Sequence, residues 1–306
     1  MKIQYCQIEG GNFGDDLNRL LWPSLFPDLA QRASDTVFYG IGTILGGHHA
    51  KQLKKVVLGA GIGEAQTAQV DATWDFRWVR GPASAREFGL TRALGLGDSA
   101  LLWKDLQQPT RADGPIGLIP HYATWDSFDW AKVAAQADLM VINPRLPPGE
   151  VVARLGVCRR VMAESLHGAI CADAMGIPWA ACVLAHRFND FKWRDWLGTI
   201  DRPTGRQGAR FVTDRPLVRS IHSAKAVANR LARSVNYLKF TRYPALRPVA
   251  ASTPHDASCV AEALYRFSRT EDNFACSSFG HVARQREQMV DACVRFAQDY
   301  GLELAL

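Results

Sequence analysis

The chain has 306 residues, of which 47% are hydrophobic and 22% charged, a globular composition with room for two domains. No apolar run reaches the roughly 18 residues of a membrane span, and the first residues lack a secretion-signal pattern, so we expect a cytoplasmic protein. The 7 cysteines are odd in number, scattered and never spaced as CxxC, which argues against a disulfide framework and predicts no metal site.

The formal net charge of +6 comes mainly from arginine, the side chain best suited to gripping carboxylates and phosphates. A codon bias towards arginine explains the same composition equally well. The positive charges are dispersed and no nucleic-acid recognition motif accompanies them, so we predict no nucleic-acid partner.

Short apolar runs with β-branched residues recur along the chain and predict strands. In chain order they are KIQYCQI, TVFYGIGTIL, KKVVLGAGI, FRWVRGP, IGLIPHY, LMVINPR, RRVMAES and WAACVLA. Stretches of helical character separate several of these runs, and such alternation predicts parallel βαβ units and an α/β fold. Ligands in such folds bind beyond the carboxyl ends of the strands.

The breaker-rich stretch QQPTRADGP (107–115) is the predicted linker between two α/β units. We therefore expect one Rossmann-like domain over 1–110, a second over 111–205, and a mainly helical segment over 206–306. The segments SIHSAKAVANRLARSVNYL and FGHVARQREQMVDACVRFAQDYG have amphipathic helical periodicity. Their arginines indicate either a solvated face or peripheral contact with the inner face of an anionic membrane.

The stretch MAESLHGAI places three polar residues where a buried strand gives way to a helix. Ser165 suits the N-cap of a helix running to Met175, which Gly176 would end. His167 then lies in the first turn, where free N–H groups favour anions and an imidazole can exchange protons near neutral pH. The alternative is a satisfied core histidine beside a serine that only caps the helix.

Several blocks, taken together and in order, resemble the polysaccharide pyruvyl transferase family, particularly its succinoglycan-type branch. The blocks are GNFGDDLN (11–18), GIGTIL (40–45), VLGAGIG (57–63), VRGPASA (79–85), LGDSALL (96–102), PHY (120–122), NPR (143–145), ESLHGAICADAMGIPW (164–179) and FKWRDW (191–196). They span roughly the first two-thirds of the chain. Where many family members carry Ser-x-Arg-x-His, Ser165 stands in place of the arginine, whereas Glu164 and His167 match the Glu-x-x-His pattern of the succinoglycan-like branch.

The resemblance implies two Rossmann-like domains in a GT-B-like arrangement, with the site in the cleft between them. It implies phosphoenolpyruvate as the donor and a hydroxyl pair of an exopolysaccharide, a cell-surface glycan or a lipid-linked oligosaccharide as the acceptor. The product would be a pyruvate ketal. Phosphoenolpyruvate is a co-substrate, and no cofactor is expected.

The chemistry of this transfer assigns candidate residues. For acid–base work we expect His167, with Glu164 either orienting it or acting as its partner, and His121 as a second candidate. Binding of the donor is assigned to Arg80, Arg145, Arg187, Lys192 and Ser165, and binding of the acceptor to Asn12, Asp15 and Trp193. Core packing, helix capping and surface charge are the alternative roles of these residues.

Three other functions remain open on the sequence. A nucleotide-sugar glycosyltransferase would share the architecture, and a non-catalytic glycan-binding protein would keep the fold without the reaction. The glycines of VLGAGIG suggest a dinucleotide site, but Glu64 stands where GxGxxG continues and no acidic ribose partner follows about 20 residues on.

Overall fold

A computed structural model describes residues 1–47, 49–63, 70–107, 113–184, 188–201 and 254–306. These residues contain two four-stranded parallel sheets. The first has strands β1 (Lys2–Gln4), β2 (Thr36–Tyr39), β3 (Lys54–Leu58) and β4 (Trp74–Trp78), in that spatial order. The second has β5 (Ile116–Ile119), β6 (Met140–Val141), β7 (Arg160–Ala163) and β8 (Trp179–Ala181), in the order β6-β5-β7-β8.

The helices of the described residues lie between and after these strands. They are α1 (Phe13–Asp16), α2 (Asn18–Leu25), α3 (Pro82–Glu87), α4 (Trp130–Ala137), α5 (Pro148–Gly156), α6 (Leu166–Ala174), α7 (Asp190–Leu197), α8 (Pro254–Ser268) and α9 (Phe279–Tyr300). Local chemistry explains several of their ends. The side chain of Ser278 accepts a hydrogen bond at the start of α9, for example, and Gly301 ends that helix with a φ of 60°.

The predicted α/β class with parallel sheets is confirmed. Seven of the eight apolar runs contain a shorter observed strand, and the eighth, FRWVRGP (76–82), overlaps β4, which begins two residues earlier at Trp74. The two sheets lie on either side of residue 110 in sequence. The boundaries at 110 and 205 and the GT-B-like arrangement stay predictions. Residues 108–112 of the expected linker and the segment SIHSAKAVANRLARSVNYL lie outside the described residues.

The loops that follow β1 and β6 bring the two sheets together at their carboxyl ends. The N–H of Phe13 donates to the carbonyl of Pro144 at 3.0 Å. Gly11 has a φ of +92°, and a Cβ on this residue would lie only 2.5 Å from the carbonyl oxygen of Arg145. Only glycine suits both this backbone conformation and this approach. Polar residues after strands of both sheets therefore share one region.

The two C-terminal helices pack against different sheets. Val260, Ala261 and Leu264 of α8 join the core beside Leu118 and α4 of the second sheet. Phe296 of α9 packs at 5.8 Å from Phe38 of the first sheet. The described part of the C-terminal segment, which the sequence set apart as 206–306, thus belongs to the cores around both sheets.

Candidate active site

His167 lies at the start of α6, as the sequence predicts. The Ser165 hydroxyl accepts a hydrogen bond from the Gly168 N–H at 3.3 Å, which confirms the N-cap and puts His167 in the first turn. The imidazole retains 13% of its exposure. The Phe13 ring meets it edge-on at 6.4 Å, and a Cβ on Gly14 would overlap the ring at Nδ1. Phe13 and Gly14, which follow β1, therefore lie directly against the imidazole of His167.

Asp98 is the carboxylate that faces this histidine. Its Oδ2 lies 3.6 Å from His167 Nε2, and the residue is 0% exposed. Its other oxygen, Oδ1, accepts from the Ala100 N–H at 3.0 Å and starts the 3₁₀ turn Ser99–Leu102. Within the described part of the chain, Asp98 Oδ2 has no hydrogen-bond partner. Sequence reasoning missed Asp98, although it stands in the LGDSALL block and its position before an apolar turn is typical of a cap.

Asp15 approaches the same histidine from α1. The Asn12 side chain donates to its Oδ2 at 2.6 Å, and Asp15 is only 8% exposed. Burial raises the pKa of the Asp15 carboxyl, while His167 and Lys192 act in the opposite direction. Asn12 is the N-cap residue of α1, and its backbone N–H donates to the Asp16 side chain at 3.1 Å. Asp15, assigned to the acceptor, thus interacts with His167, and Asn12, assigned with it, is bonded to Asp15.

Lys192 lies in the first turn of α7, where the Asn189 side chain accepts from its N–H at 3.0 Å. A small pocket beside it is lined by His121, Thr124, Glu164, Phe188, Asn189, Lys192 and Trp193. Burial and the charge of Arg80 lower the pKa of Lys192 to about 8, while Asp15 and Glu164 act to raise it. Lys192 is half-buried, and its ammonium forms no ion pair or hydrogen bond with the residues that the structure describes.

The described contacts of the Glu164 carboxylate are with backbone N–H groups, so its predicted pairing with His167 stays a prediction. Its carboxylate accepts from the His121 N–H at 2.9 Å and from the Leu184 N–H at 3.0 Å. These contacts tie together the carboxyl ends of β5, β7 and β8. The side chain points along the sheet edge towards these amides, so the carboxylate beside the imidazole is that of Asp98.

His121, the second acid–base candidate, follows β5 and borders the pocket of Lys192. The Ala123 N–H points at its Nδ1 at 3.3 Å, and its ring lies 4.4 Å from that of Tyr122. Its catalytic role stays a prediction.

Arg80 is buried rather than exposed to the cleft. Its guanidinium donates to Asp195 at 3.1 Å, to Thr43 at 2.8 Å and to the Ile62 carbonyl at 2.6 Å, and the residue is 1% exposed. Asp195 also accepts from Ser84. Arg80 therefore joins the end of β4 to α7, which does not support the direct donor contact assigned to it.

The other predicted cations differ in their surroundings. Arg145 forms a two-pronged pair with Asp126, at 2.9 Å and 2.6 Å, and donates to the Tyr122 carbonyl at 3.0 Å. A donor at Arg145 would have to compete with that carboxylate. Arg187 lies outside the described residues.

Trp193 is a core residue in the structure. It is 0% exposed, stacks on Phe188 at 5.4 Å between ring centres and packs against Trp179 and Trp196. A sugar cannot stack on a ring whose faces are covered in this way, so the acceptor contact assigned to Trp193 is not supported.

The glycines of VLGAGIG allow neighbouring side chains to pack directly against the backbone. A Cβ on Gly59 would overlap the Ser99 hydroxyl, and a Cβ on Gly61 would lie 2.7 Å from the guanidinium of Arg80. Side chains therefore occupy the space that a dinucleotide phosphate would need at these two glycines.

The described residues contain no group of three or more His, Cys, Asp or Glu side chains arranged to hold a metal ion. None of their helices is both long enough and apolar enough to cross a membrane.

Comparison with known proteins agrees with the resemblance seen in the sequence blocks. The sequence model of the family described as "Polysaccharide pyruvyl transferase" matches residues 2–186. The chain is also 36% identical over 205 residues to "Succinoglycan biosynthesis protein ExoV" of Rhizobium meliloti (strain 1021), and the match covers 65% of each chain. No solved structure matches the chain. The family match spans more than half of the chain, from β1 beyond β8, and this chain therefore belongs to the polysaccharide pyruvyl transferase family.

Proposed function

We propose that the protein transfers pyruvate from phosphoenolpyruvate onto two hydroxyl groups of a sugar in an exopolysaccharide or cell-surface glycan, and so forms a ketal. The family and the relative named for succinoglycan biosynthesis support this class of reaction. The single observation that carries the proposal is the setting of His167. Its Nε2 lies 3.6 Å from the buried Asp98 carboxylate, and its charge acts on the Asp15 carboxyl, near the place where loops of both sheets meet.

The reaction needs a group that exchanges protons. The methylene carbon of phosphoenolpyruvate gains a proton, and the neighbouring carbon becomes electrophilic. A sugar hydroxyl attacks that carbon and loses its proton, the carbon–oxygen bond to phosphate breaks, and a second hydroxyl closes the ring. Of the two hydroxyl protons, one balances the new methyl group and the other leaves with hydrogen phosphate. We assign this proton exchange to His167.

The donor carries about three negative charges at neutral pH, so it needs cationic or N–H groups around it. Lys192 supplies an ammonium that no described carboxylate neutralises by direct contact, and it borders the pocket shared with His121 and Thr124. The first turn of α7 adds the positive end of a helix. We place the donor there, with Arg145 and Arg187 as further candidate contacts.

The acceptor sugar is proposed to bind at Asn12 and Asp15. Asp15 interacts electrostatically with His167, the Asn12 side chain donates to Asp15, and both side chains can exchange hydrogen bonds with hydroxyl groups. Burial raises the pKa of Asp15 and so favours its protonated form, which can donate a hydrogen bond as well as accept one.

The test is a transfer assay with the purified full chain, phosphoenolpyruvate and a panel of depyruvylated acidic exopolysaccharides and their lipid-linked repeat units. Phosphate release and the NMR signal of the ketal methyl group report the reaction. We expect both signals with the natural chain and neither with His167→Ala, whose fold circular dichroism would check. Consumption of a nucleotide sugar, or glycan binding without phosphate release, would contradict the proposal.

A further inference from the structure

We infer that Asp98 is the positioning residue of His167: its buried carboxylate accepts the Nε2–H of the imidazole, holds the ring in one tautomer and stabilises the imidazolium formed when Nδ1 takes a proton. The inference rests on the proposed function, in which His167 exchanges protons with the substrates.

The placement of the Asp98 carboxylate supports this role. Asp98 is 0% exposed, and one of its oxygens is committed to the Ala100 N–H at 3.0 Å. That bond leaves Oδ2 directed at His167 Nε2, at 3.6 Å, as a buried oxygen without a hydrogen bond to any described residue. A buried carboxylate oxygen is costly unless a donor satisfies it, and the imidazole N–H, at 3.6 Å, can supply that donor. Catalytic hydrogen bonds are often long in the free enzyme and shorten when substrate binds.

Hydrogen bonds and packing from the C-terminal helix α9 hold the turn that carries Asp98. Gln285 of α9 donates to the Leu96 carbonyl at 3.0 Å, and Arg286 donates to the Leu101 carbonyl at 2.7 Å. Gly97 has a φ of +135°, and a Cβ there would lie 2.9 Å from the Met289 side chain. Contacts on both sides of Asp98 thus restrict the carboxylate to one position, as a positioning group requires.

Charged groups reach the imidazole from several elements. Asp98 faces it from the 3₁₀ turn, Asp15 faces it from α1, and Lys192 of α7 acts on Asp15. Cys171 of α6 lies close enough for the Asp98 charge to raise its thiol pKa, in addition to the effect of burial. An imidazolium at His167 would therefore have the Asp98 carboxylate 3.6 Å from its Nε2. In the proposed step the proton that moves is carried at Nδ1, so Asp98 neither gives nor takes that proton.

The first measurement uses Asp98→Asn. The asparagine oxygen can still accept from Ala100, so the turn keeps its cap while the charge facing His167 disappears. We expect kcat for pyruvyl transfer to fall roughly 10²- to 10⁴-fold, the range for disturbing an acid–base histidine and its orienting carboxylate. KM for phosphoenolpyruvate should change less than about threefold, because Asp98 does not contact the donor. Asp129→Asn, at the exposed N-cap of α4, is the matched control and should leave kcat unchanged.

The second measurement does not depend on activity. Nitrogen-15 NMR of histidine-labelled protein reports which imidazole nitrogen carries the proton, and His167→Gln identifies the signals of His167. We expect the neutral ring of the natural chain to be protonated at Nε2, and Asp98→Asn to reduce that preference. A neutral ring protonated at Nδ1 in the natural chain, or an unaltered kcat in a folded Asp98→Asn protein, would overturn the inference. Absence of pyruvyl transfer by the natural chain would instead refute the proposed function, while the NMR result would still decide the Asp98–His167 contact.

Discussion

The backbone of Gly14 lies so close to the imidazole of His167 that no side chain larger than hydrogen fits between them. A Cβ at this position would overlap Nδ1 and Cγ of the ring. The glycine is therefore needed for space, since it belongs to α1 and does not have a positive φ.

Gly14→Ala should displace the imidazole and leave the rest of the fold in place. We expect pyruvyl transfer to fall by about 10²-fold, as for a misplacement of roughly 1 Å, and the free energy of unfolding to fall by about 1–3 kcal/mol from overpacking. Gly149→Ala on α5, where a Cβ would meet nothing within 4 Å, is the control and should be neutral or stabilising by up to about 1 kcal/mol. Full activity of Gly14→Ala, with unshifted His167 signals, would show that the ring is not confined as described.

A substitution of Arg80 tests whether this buried arginine supports the fold through Asp195 or binds the donor. Both are almost wholly buried, and their ion pair measures 3.0 Å. Removal of one partner by Arg80→Ala should lower the free energy of unfolding by about 3–5 kcal/mol, because the Asp195 charge is left unpaired. Arg194→Ala breaks the exposed pair with Asp190 on the same helix and should cost less than about 0.5 kcal/mol. A stable Arg80→Ala protein with a raised KM for phosphoenolpyruvate would instead return Arg80 to the donor site.

Lys192 should make donor binding depend on pH. Its pKa is lowered to about 8, so the ammonium is present below that pH and is lost as the pH rises through it. Calorimetric titration should show phosphoenolpyruvate binding about tenfold more weakly at pH 9 than at pH 7, the equivalent of roughly 1.4 kcal/mol for one charge-assisted contact.

The variants at this position separate charge from shape. Lys192→Arg stays charged above pH 8 and should remove most of the pH dependence, while Lys192→Met should bind weakly at both pH values. Lys104→Met, at an exposed lysine, is the control. Donor binding by Lys192→Met that equals that of the natural chain would exclude Lys192 from the donor site.

Glu164→Gln distinguishes a structural carboxylate from a catalytic one. Each oxygen of Glu164 accepts a hydrogen bond from one backbone N–H group, that of His121 or that of Leu184. Glutamine keeps one of these oxygens and replaces the other with an NH₂ group, which cannot accept, so one of the two hydrogen bonds is lost. We expect a loss of about 1–3 kcal/mol in the free energy of unfolding, measured with urea, and no displacement of the pH–rate profile. Glu150→Gln, on an exposed face of α5, should cost less than about 0.5 kcal/mol. A displaced pH–rate profile with unchanged stability would make Glu164 an acid–base group after all.

Local signals were sufficient where a few neighbouring residues decide the structure. Apolar runs predicted the eight strands, and Ser165 and Gly176 predicted the limits of α6, because period and capping depend on adjacent residues. The position of His167 in a first helical turn followed from the same signals. The identity of the family followed from the ordered blocks.

Local signals failed where a residue's role depends on a distant partner. Arg80 was correctly placed after a strand, yet Asp195 on α7 turns it into a buried structural residue. The residues next to Trp193 in sequence do not show whether its ring is exposed or, as the structure has it, buried against Phe188 and Trp179. Glu164 is near His167 in sequence, but its carboxylate points to amides at the ends of other strands.

The sequence by itself determined the parallel α/β elements, the first-turn position of His167 and the family, since these depend on local periodicity, caps and motif order. The tertiary structure alone decided that Asp98 lies 3.6 Å from the imidazole and that Asp15 interacts with it electrostatically. The reason is physical: these carboxylates come from different loops, and their distance to His167 is set by how two sheets and the C-terminal helix pack, a long-range property that no local pattern encodes.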